Sequence, residues 1–324
     1  MTDLPARVTL HEEGPREGFQ FEKTLFPLAE RVRFVDMLSA TGLSRIQVAS
    51  FVSPRMVPQM ADSAELFGAI AKPSGVRHTS LWLSEKGYRQ AAETPGVDLS
   101  GLILLYASDA FSLRNNGCSA DEMRRRQEDW IAMYDADGVD IEAIYIMTAF
   151  GCNLQGDIPF AALDANLDWI ASRFAGRALP VIYLADTVGW AVPTSVTTRI
   201  SYVRNRFPDA RIGLHLHDTR GAAMASFLVA LQLGVTQFDG SVAGLGGCPF
   251  AGHGHGAAAG NICTEDMVFM AHEMGIETGV DLEALIEAAR MAEALIGRPL
   301  PGRVMHGGSL ASYRNSTPTI GKRT

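Results

Sequence analysis

Eight short runs of strand-forming residues, each followed by a longer helical stretch, constrain this chain more than any single motif does. The runs are Val8–Glu12, Arg45–Phe51, Val76–Leu83, Gly101–Tyr106, Asp140–Met147, Leu179–Ala185, Arg211–His217 and Thr236–Val242. The pattern between them predicts helices over Pro27–Thr41, Ser63–Ala71, Glu85–Glu93, Ser119–Asp137, Pro159–Ala175, Pro193–Phe207 and Thr219–Leu233. Thr264–Met274 and Leu282–Ile296 complete the series. Strand then helix, repeated around a ring, predicts an α/β chain folded as a (β/α)8 TIM barrel with a C-terminal helical extension. Ser119 and Thr264 each stand before acidic residues and are expected to cap their helices. With 324 residues, 47% of them hydrophobic, the chain has enough apolar mass for one large core. Residues 1–324 therefore read as a single domain, with an irregular tail over roughly 297–324.

A formal net charge of −8 argues against a nucleic-acid groove or an anionic membrane surface, because both demand clustered Lys and Arg. Met1-Thr2-Asp3-Leu4-Pro5 shows no basic segment leading into an apolar run, and no apolar stretch reaches the roughly 18 residues of a membrane helix. A soluble, cytoplasmic protein is expected. Cys118, Cys152, Cys248 and Cys263 form no C-x-x-C pair, so free thiols are expected rather than a zinc ribbon or a disulfide framework.

In barrels of this kind chemistry collects where the strands end. His215 and His217 are spaced to share one face of the seventh strand, which suits either joint ligation of a divalent ion or a pair of hydrogen-bonded barrel histidines. Arg16 and Glu17 follow the first strand, where they can serve a metal and a substrate anion or form an ion pair at a turn. A carboxylate and two imidazoles, with an amide oxygen, suit Mg2+ or Mn2+, with Zn2+ as the further option. Cys248, behind Gly246-Gly247, lies on the loop after the eighth strand; it reads as a thiol on a moving lid or as a small buried hydrophobe. His253 and His255 stand among glycines, which favours solvated side chains over a second metal site. The glycine string matches neither a dinucleotide fingerprint nor a Walker motif.

Gly14-Pro15-Arg16-Glu17-Gly18-Phe19-Gln20-Phe21-Glu22-Lys23 and Ser50-Phe51-Val52-Ser53-Pro54-Arg55-Met56-Val57-Pro58-Gln59-Met60 resemble the 3-hydroxy-3-methylglutaryl-CoA lyases of the DRE-TIM metallolyase superfamily. His215-Leu216-His217-Asp218-Thr219, Ser241 through Ala251 and Gly260-Asn261 continue the resemblance over roughly residues 8–300. It implies metal contacts from Glu17, His215, His217 and Asn261, enolate stabilisation by Arg16 and proton delivery by Cys248. Asp186 joins the catalytic set, and Gln47, Thr187 and Lys23 are expected on the substrate side. The implied activity is retro-Claisen cleavage of a 3-hydroxy-3-methylglutaryl-CoA-like 3-hydroxyacyl-CoA to acetyl-CoA and a keto acid. The alternatives are a related aldolase or Claisen-type condensing enzyme and a catalytically inactive metal-binding barrel. A homodimer is expected, from apolar outer helices.

Three departures stand out. Glu17 occupies a position usually held by aspartate, and Gln47 occupies one usually held by an acid on the second strand. The stretch from Cys248 to Asn261 is lengthened by Gly252-His253-Gly254-His255, so a differently shaped substrate is expected under it.

Overall fold

The computed structural model describes residues 4–247 and 260–314. Its strands are β1 (Thr9–Glu12), β2 (Arg45–Phe51), β3 (Arg77–Trp82), β4 (Gly101–Tyr106), β5 (Ile141–Met147), β6 (Val181–Ala185), β7 (Ile212–His215) and β8 (Gln237–Gly240). They form one parallel sheet in the order β3-β2-β1-β8-β7-β6-β5-β4. The helices are α1 (Leu28–Ser39), α2 (Ser63–Ala69), α3 (Glu85–Glu93), α4 (Asp109–Asn116), α5 (Ala120–Asp137), α6 (Phe160–Arg173), α7 (Pro193–Arg206), α8 (Ala223–Gln232), α9 (Thr264–Glu273) and α10 (Leu282–Ile296). This is the expected (β/α)8 TIM barrel.

Alternation along the strands divides the interior in two. Ile103 and Leu105 of β4, Ile144 and Ile146 of β5, and Leu184 of β6 are fully buried in the main core. Inside the barrel, Ala143, Val181 and Tyr183 form a second cluster with Leu102 and Tyr145 packed on it. That cluster is the barrel's inner apolar packing. Among the described residues, no helix is long and apolar enough to cross a membrane.

Three local differences from the sequence reading have physical causes. α4 was not expected; it is set by Ser108, whose hydroxyl accepts from the Phe111 N–H at 3.1 Å, and ended by Gly117 in the left-handed region. Thr264 does not cap α9 but opens it, and its hydroxyl donates instead to Glu12 of the neighbouring β1 at 2.5 Å. β7 stops at His215, short of His217, because residues 260–262 return alongside it. Ile262 N–H donates to Leu216 O at 3.0 Å, Asp218 N–H to Gly260 O at 3.0 Å, and His217 pairs antiparallel with Asn261. Ser119 caps α5 as expected, accepting from Glu122 N–H at 3.2 Å. Past Gly297, where an irregular tail was expected, the described residues include two short helices, α11 (Val304–Gly307) and α12 (Leu310–Arg314). Asp266 draws the start of α11 against α9 by accepting from the Arg303 and Val304 N–H groups.

Candidate active site

At the carboxyl ends of the strands a cavity of about 260 Å³ opens between two unlike walls. One carries Glu13, Arg16, Glu17, Gln47, His215 and His217; the other carries Leu81, Leu102, Leu104, Tyr106 and Met147.

The polar wall begins where β1 ends. Gly14–Gly18 form a wide π-helical turn whose residues are all buried. Glu12 braces it, taking Gly14 N–H at 2.7 Å and Val242 N–H at 2.9 Å on one oxygen. A Cβ on Gly14 would fall 2.5 Å from that oxygen, so the turn requires glycine there. The turn aims Arg16 into the cavity, where three side chains hold it. Nε donates to Gln47 Oε1, Nη2 donates to the Glu13 carboxylate, and Nη2 lies 3.1 Å from Glu17 Oε2.

Across the mouth, the two imidazoles are oriented through Nδ1. His217 Nδ1 lies 2.7 Å from the Asp186 carbonyl, which can only accept, so Nδ1 carries the hydrogen and Nε2 keeps its lone pair. His215 Nδ1 lies 3.2 Å from Asp239, which also accepts from the Tyr145 hydroxyl at 2.9 Å and sits 3.4 Å from His11. His217 Nε2 is buried without a hydrogen bond and lies 3.5 Å from Glu17 Oε1.

Ligand atoms of Glu17, His215 and His217 all lie within 4.8 Å of one another. Asn261 stands beside them, donating through Nδ2 to Glu17 at 2.9 Å and to the Leu245 carbonyl at 3.2 Å. A buried, unpartnered imidazole lone pair beside a carboxylate fits a divalent cation. The loop after β8 reaches this point as well: a Cβ on Gly246, at φ +85°, would meet Glu17 Cγ at 2.8 Å.

The electrostatics agree with that donor set. Burial alone would raise the Glu17 carboxyl, but Arg16 and the two histidines outweigh it and hold Glu17 well below the usual carboxylate range. Burial alone would lower His215, whereas the Asp239 bond and the charge of Glu17 reverse the effect and bring it to about 9. The ion-free site therefore holds a proton where a cation would sit, and metal and proton compete for it.

The expected residues are placed as follows. Arg16, Glu17, Gln47, Thr187, His215 and His217 line the cavity, and Asn261 stands behind Glu17. Asp186 is buried but not part of the lining; one oxygen accepts from Trp190 N–H at 2.6 Å, the other has no hydrogen-bond partner, and burial raises the carboxyl to about 6. Lys23 is exposed and does not line the cavity. Cys248, His253 and His255 lie outside the described residues. The other cysteines, Cys118, Cys152 and Cys263, are free and buried.

Sequence reasoning missed Glu13, Tyr145 and Asp239. Glu13 had a visible signal, since it stands three residues before Arg16, immediately ahead of the segment singled out around that residue. Asp239 and Tyr145 had none, because their partners come from other strands of the barrel.

Comparison with known proteins points the same way. The family model described as HMGL-like matches residues 7–292. The chain is 38% identical over 288 residues to the cytoplasmic 3-hydroxy-3-methylglutaryl-CoA lyase of Rattus norvegicus, covering 89% of this chain and 81% of that protein. It is 36% identical to the 3-hydroxy-3-isohexenylglutaryl-CoA/hydroxy-methylglutaryl-CoA lyase of Pseudomonas aeruginosa, over 91% of this chain and 95% of that one. Among solved structures, an HMG-CoA lyase from Acinetobacter baumannii in complex with coenzyme A and 3-methylmalate superposes with a TM-score of 0.84 at 32% identity, covering 98% and 99% of the two chains.

Proposed function

This chain belongs to the HMGL-like family, and from that membership we propose that it is a divalent-metal-dependent lyase cleaving a 3-hydroxy-3-methylglutaryl-CoA-like 3-hydroxyacyl-CoA to acetyl-CoA and a keto acid. The observation that carries the reading is the donor set of Glu17, His215 and His217 beside the buried guanidinium of Arg16 in one cavity.

Glu17, His215, His217 and the Asn261 amide oxygen would hold the ion, with Mg2+ or Mn2+ favoured by the oxygen donors. The ion supplies Lewis acidity, making the substrate's tertiary hydroxyl easier to deprotonate. In the cleavage itself the hydroxyl loses its proton, the C2–C3 bond breaks, C3 becomes a ketone and the electron pair passes to the thioester enolate. Arg16 stabilises that developing charge from a fixed position, because Glu13 and Gln47 restrict its side chain before substrate arrives. Asp186, which lies behind the cavity lining with its carboxyl raised by burial to about 6, is assigned as the proton acceptor on the strength of its place beside His217 and Thr187. Cys248, on the loop that begins against Glu17, is assigned to return a proton to C2 and release acetyl-CoA.

Cys248→Ser tests the last assignment: metal stoichiometry is expected to stay unchanged while turnover falls about a hundredfold or more. Normal turnover in that variant would remove Cys248 from the reaction.

A further inference from the structure

A row of polar side chains crosses the barrel interior beneath the metal site. In the parallel ladder His11 of β1 lies level with Asp239 of β8, and Asp239 lies level with His215 of β7. Residues level with one another in a parallel sheet project from the same face, so all three turn inward side by side. Two residues nearer the strand starts, Tyr145 of β5, Tyr183 of β6 and Gly213 of β7 are also level, and the tyrosine rings stack at 4.6 Å. Gly213 makes room for that stack, because a Cβ there would fall 2.5 Å from the Tyr183 ring. Barrel layers are ordinarily filled by branched apolar side chains, and a buried polar row is costly unless its groups are paired.

The pairing converges on Asp239, whose side chain is fully buried. Its Oδ2 accepts from the Tyr145 hydroxyl at 2.9 Å and lies 3.2 Å from His215 Nδ1. Among the described residues its Oδ1 makes no close hydrogen bond, and the donor it faces is His11 Nδ1, 3.4 Å away. The Tyr183 hydroxyl, 3.1 Å from the same Nδ1, keeps the His11 ring turned inward. A carboxylate can only accept, so each histidine presents Nδ1–H to Asp239, and His215 keeps Nε2 for the ion. His11 lines a different cavity from the one at the mouth, of about 830 Å³, with Arg45, Tyr183 and Gln237 at the starts of the strands. It therefore faces away from the substrate and reaches the ion only through Asp239.

We propose that His11 is a positioning residue for the metal ion, holding the Asp239 carboxylate so that Asp239 fixes the ring of His215. The proposal rests on the metal site of the lyase reading above and adds to it a residue that touches neither ion nor substrate. Without His11, Asp239 is left with a buried oxygen that no donor faces. The rotation that relieves it takes Oδ2 away from His215 Nδ1, and a ligand ring so freed binds the ion less tightly. The grip on the ion is thereby set from the side of the barrel opposite the substrate.

The test is calorimetric titration of metal-free protein with Mn2+, with no substrate present. His11→Leu, which nearly conserves volume and removes the donor, is expected to weaken binding about tenfold or more. His11→Asn, whose Nδ2 takes the place of Nδ1, is expected to stay within about threefold of the unaltered protein. Should His11→Leu fail to fold, His11→Val, a good strand former, carries the same expectation. Equal Mn2+ affinity in His11→Leu and the unaltered protein overturns the proposal. So does an equal loss in His11→Leu and His11→Asn, which would leave the position a role in packing alone. Turnover is read separately. A protein that cleaves no thioester yet shows the expected pattern fails the lyase reading and upholds the positioning role, whereas full turnover with Mn2+ affinity unmoved by His11→Leu does the reverse.

Discussion

The two walls of the mouth cavity are built on opposite principles. On the β1, β2, β7 and β8 side the charged side chains are held in place: Arg16 by Glu13, Gln47 and Glu17, and both histidines through Nδ1. On the β3–β4 side the strands do not pair, and leucines face the cavity half-covered. Rigid placement on one wall suits a reaction whose charges must be met at fixed points, whereas loose apolar surface on the other suits contact with parts of the substrate that do not react. The contrast assigns chemistry to one wall and substrate contact to the other.

The largest break in that contrast should come from His217→Ala, which removes a ligand but touches nothing at β3–β4. Bound Mn2+ is expected to fall and turnover to drop about a thousandfold or more. Undiminished Mn2+ stoichiometry would move the ion elsewhere.

Glu13→Gln probes the same wall at smaller amplitude. Loss of the carboxylate that holds Arg16 is expected to lower kcat about tenfold to a hundredfold with little change in KM. Adding Gln47→Glu to that variant should restore much of the loss, because it returns one negative charge to the guanidinium from the β2 side. A KM effect without a kcat effect would mean that Glu13 serves binding alone.

Competition between proton and metal gives a graded effect. Because His215 is brought to about 9 in the ion-free site, metal uptake is expected to release a proton and to weaken about tenfold per pH unit on acidification from pH 8 to 6. Calorimetry in buffers of differing ionisation enthalpy reads the proton count, and a pH-independent affinity would contradict the site described.

The smallest effect concerns the supports behind the polar wall. Burial raises Glu265 to about 8 and Glu12 to about 7, from 4.5 when unfolded. Between those values the folded chain binds more protons than the unfolded one, so these groups contribute stability that is full below about 4.5 and lost as pH rises toward 8. Glu265→Gln keeps an acceptor for the Ala243 N–H that Glu265 takes at 2.9 Å, and should flatten the fall in Tm. The variant is expected to melt about 2–4 °C higher than the unaltered protein at pH 8. An unchanged slope would show that Glu265 titrates normally.

Much of the polar wall was legible because its residues sit at or just after strand ends, the histidines by their alternate spacing and Arg16 and Glu17 by following the first strand. Arg16, Glu17, His215 and His217 are of this kind. Asp239 was not, since its contacts with His11, Tyr145 and His215 join residues far apart in sequence. His217 was placed on β7 because its residues continue a strand pattern, yet the returning segment 260–262 takes over its hydrogen bonds. The leucine wall was invisible for a different reason. Leu81, Leu102 and Leu104 read as ordinary core, and only the missing ladder between two neighbouring strands shows that they face a gap.

The most direct test of metal-dependent carbon–carbon cleavage is mass-spectrometric product analysis of purified protein given 3-hydroxy-3-methylglutaryl-CoA with Mn2+ or Mg2+. Acetyl-CoA and acetoacetate are expected in equal amounts, abolished by a chelator and restored by the metal. Protein that binds one metal ion per chain yet releases no acetyl-CoA from this thioester would contradict the account.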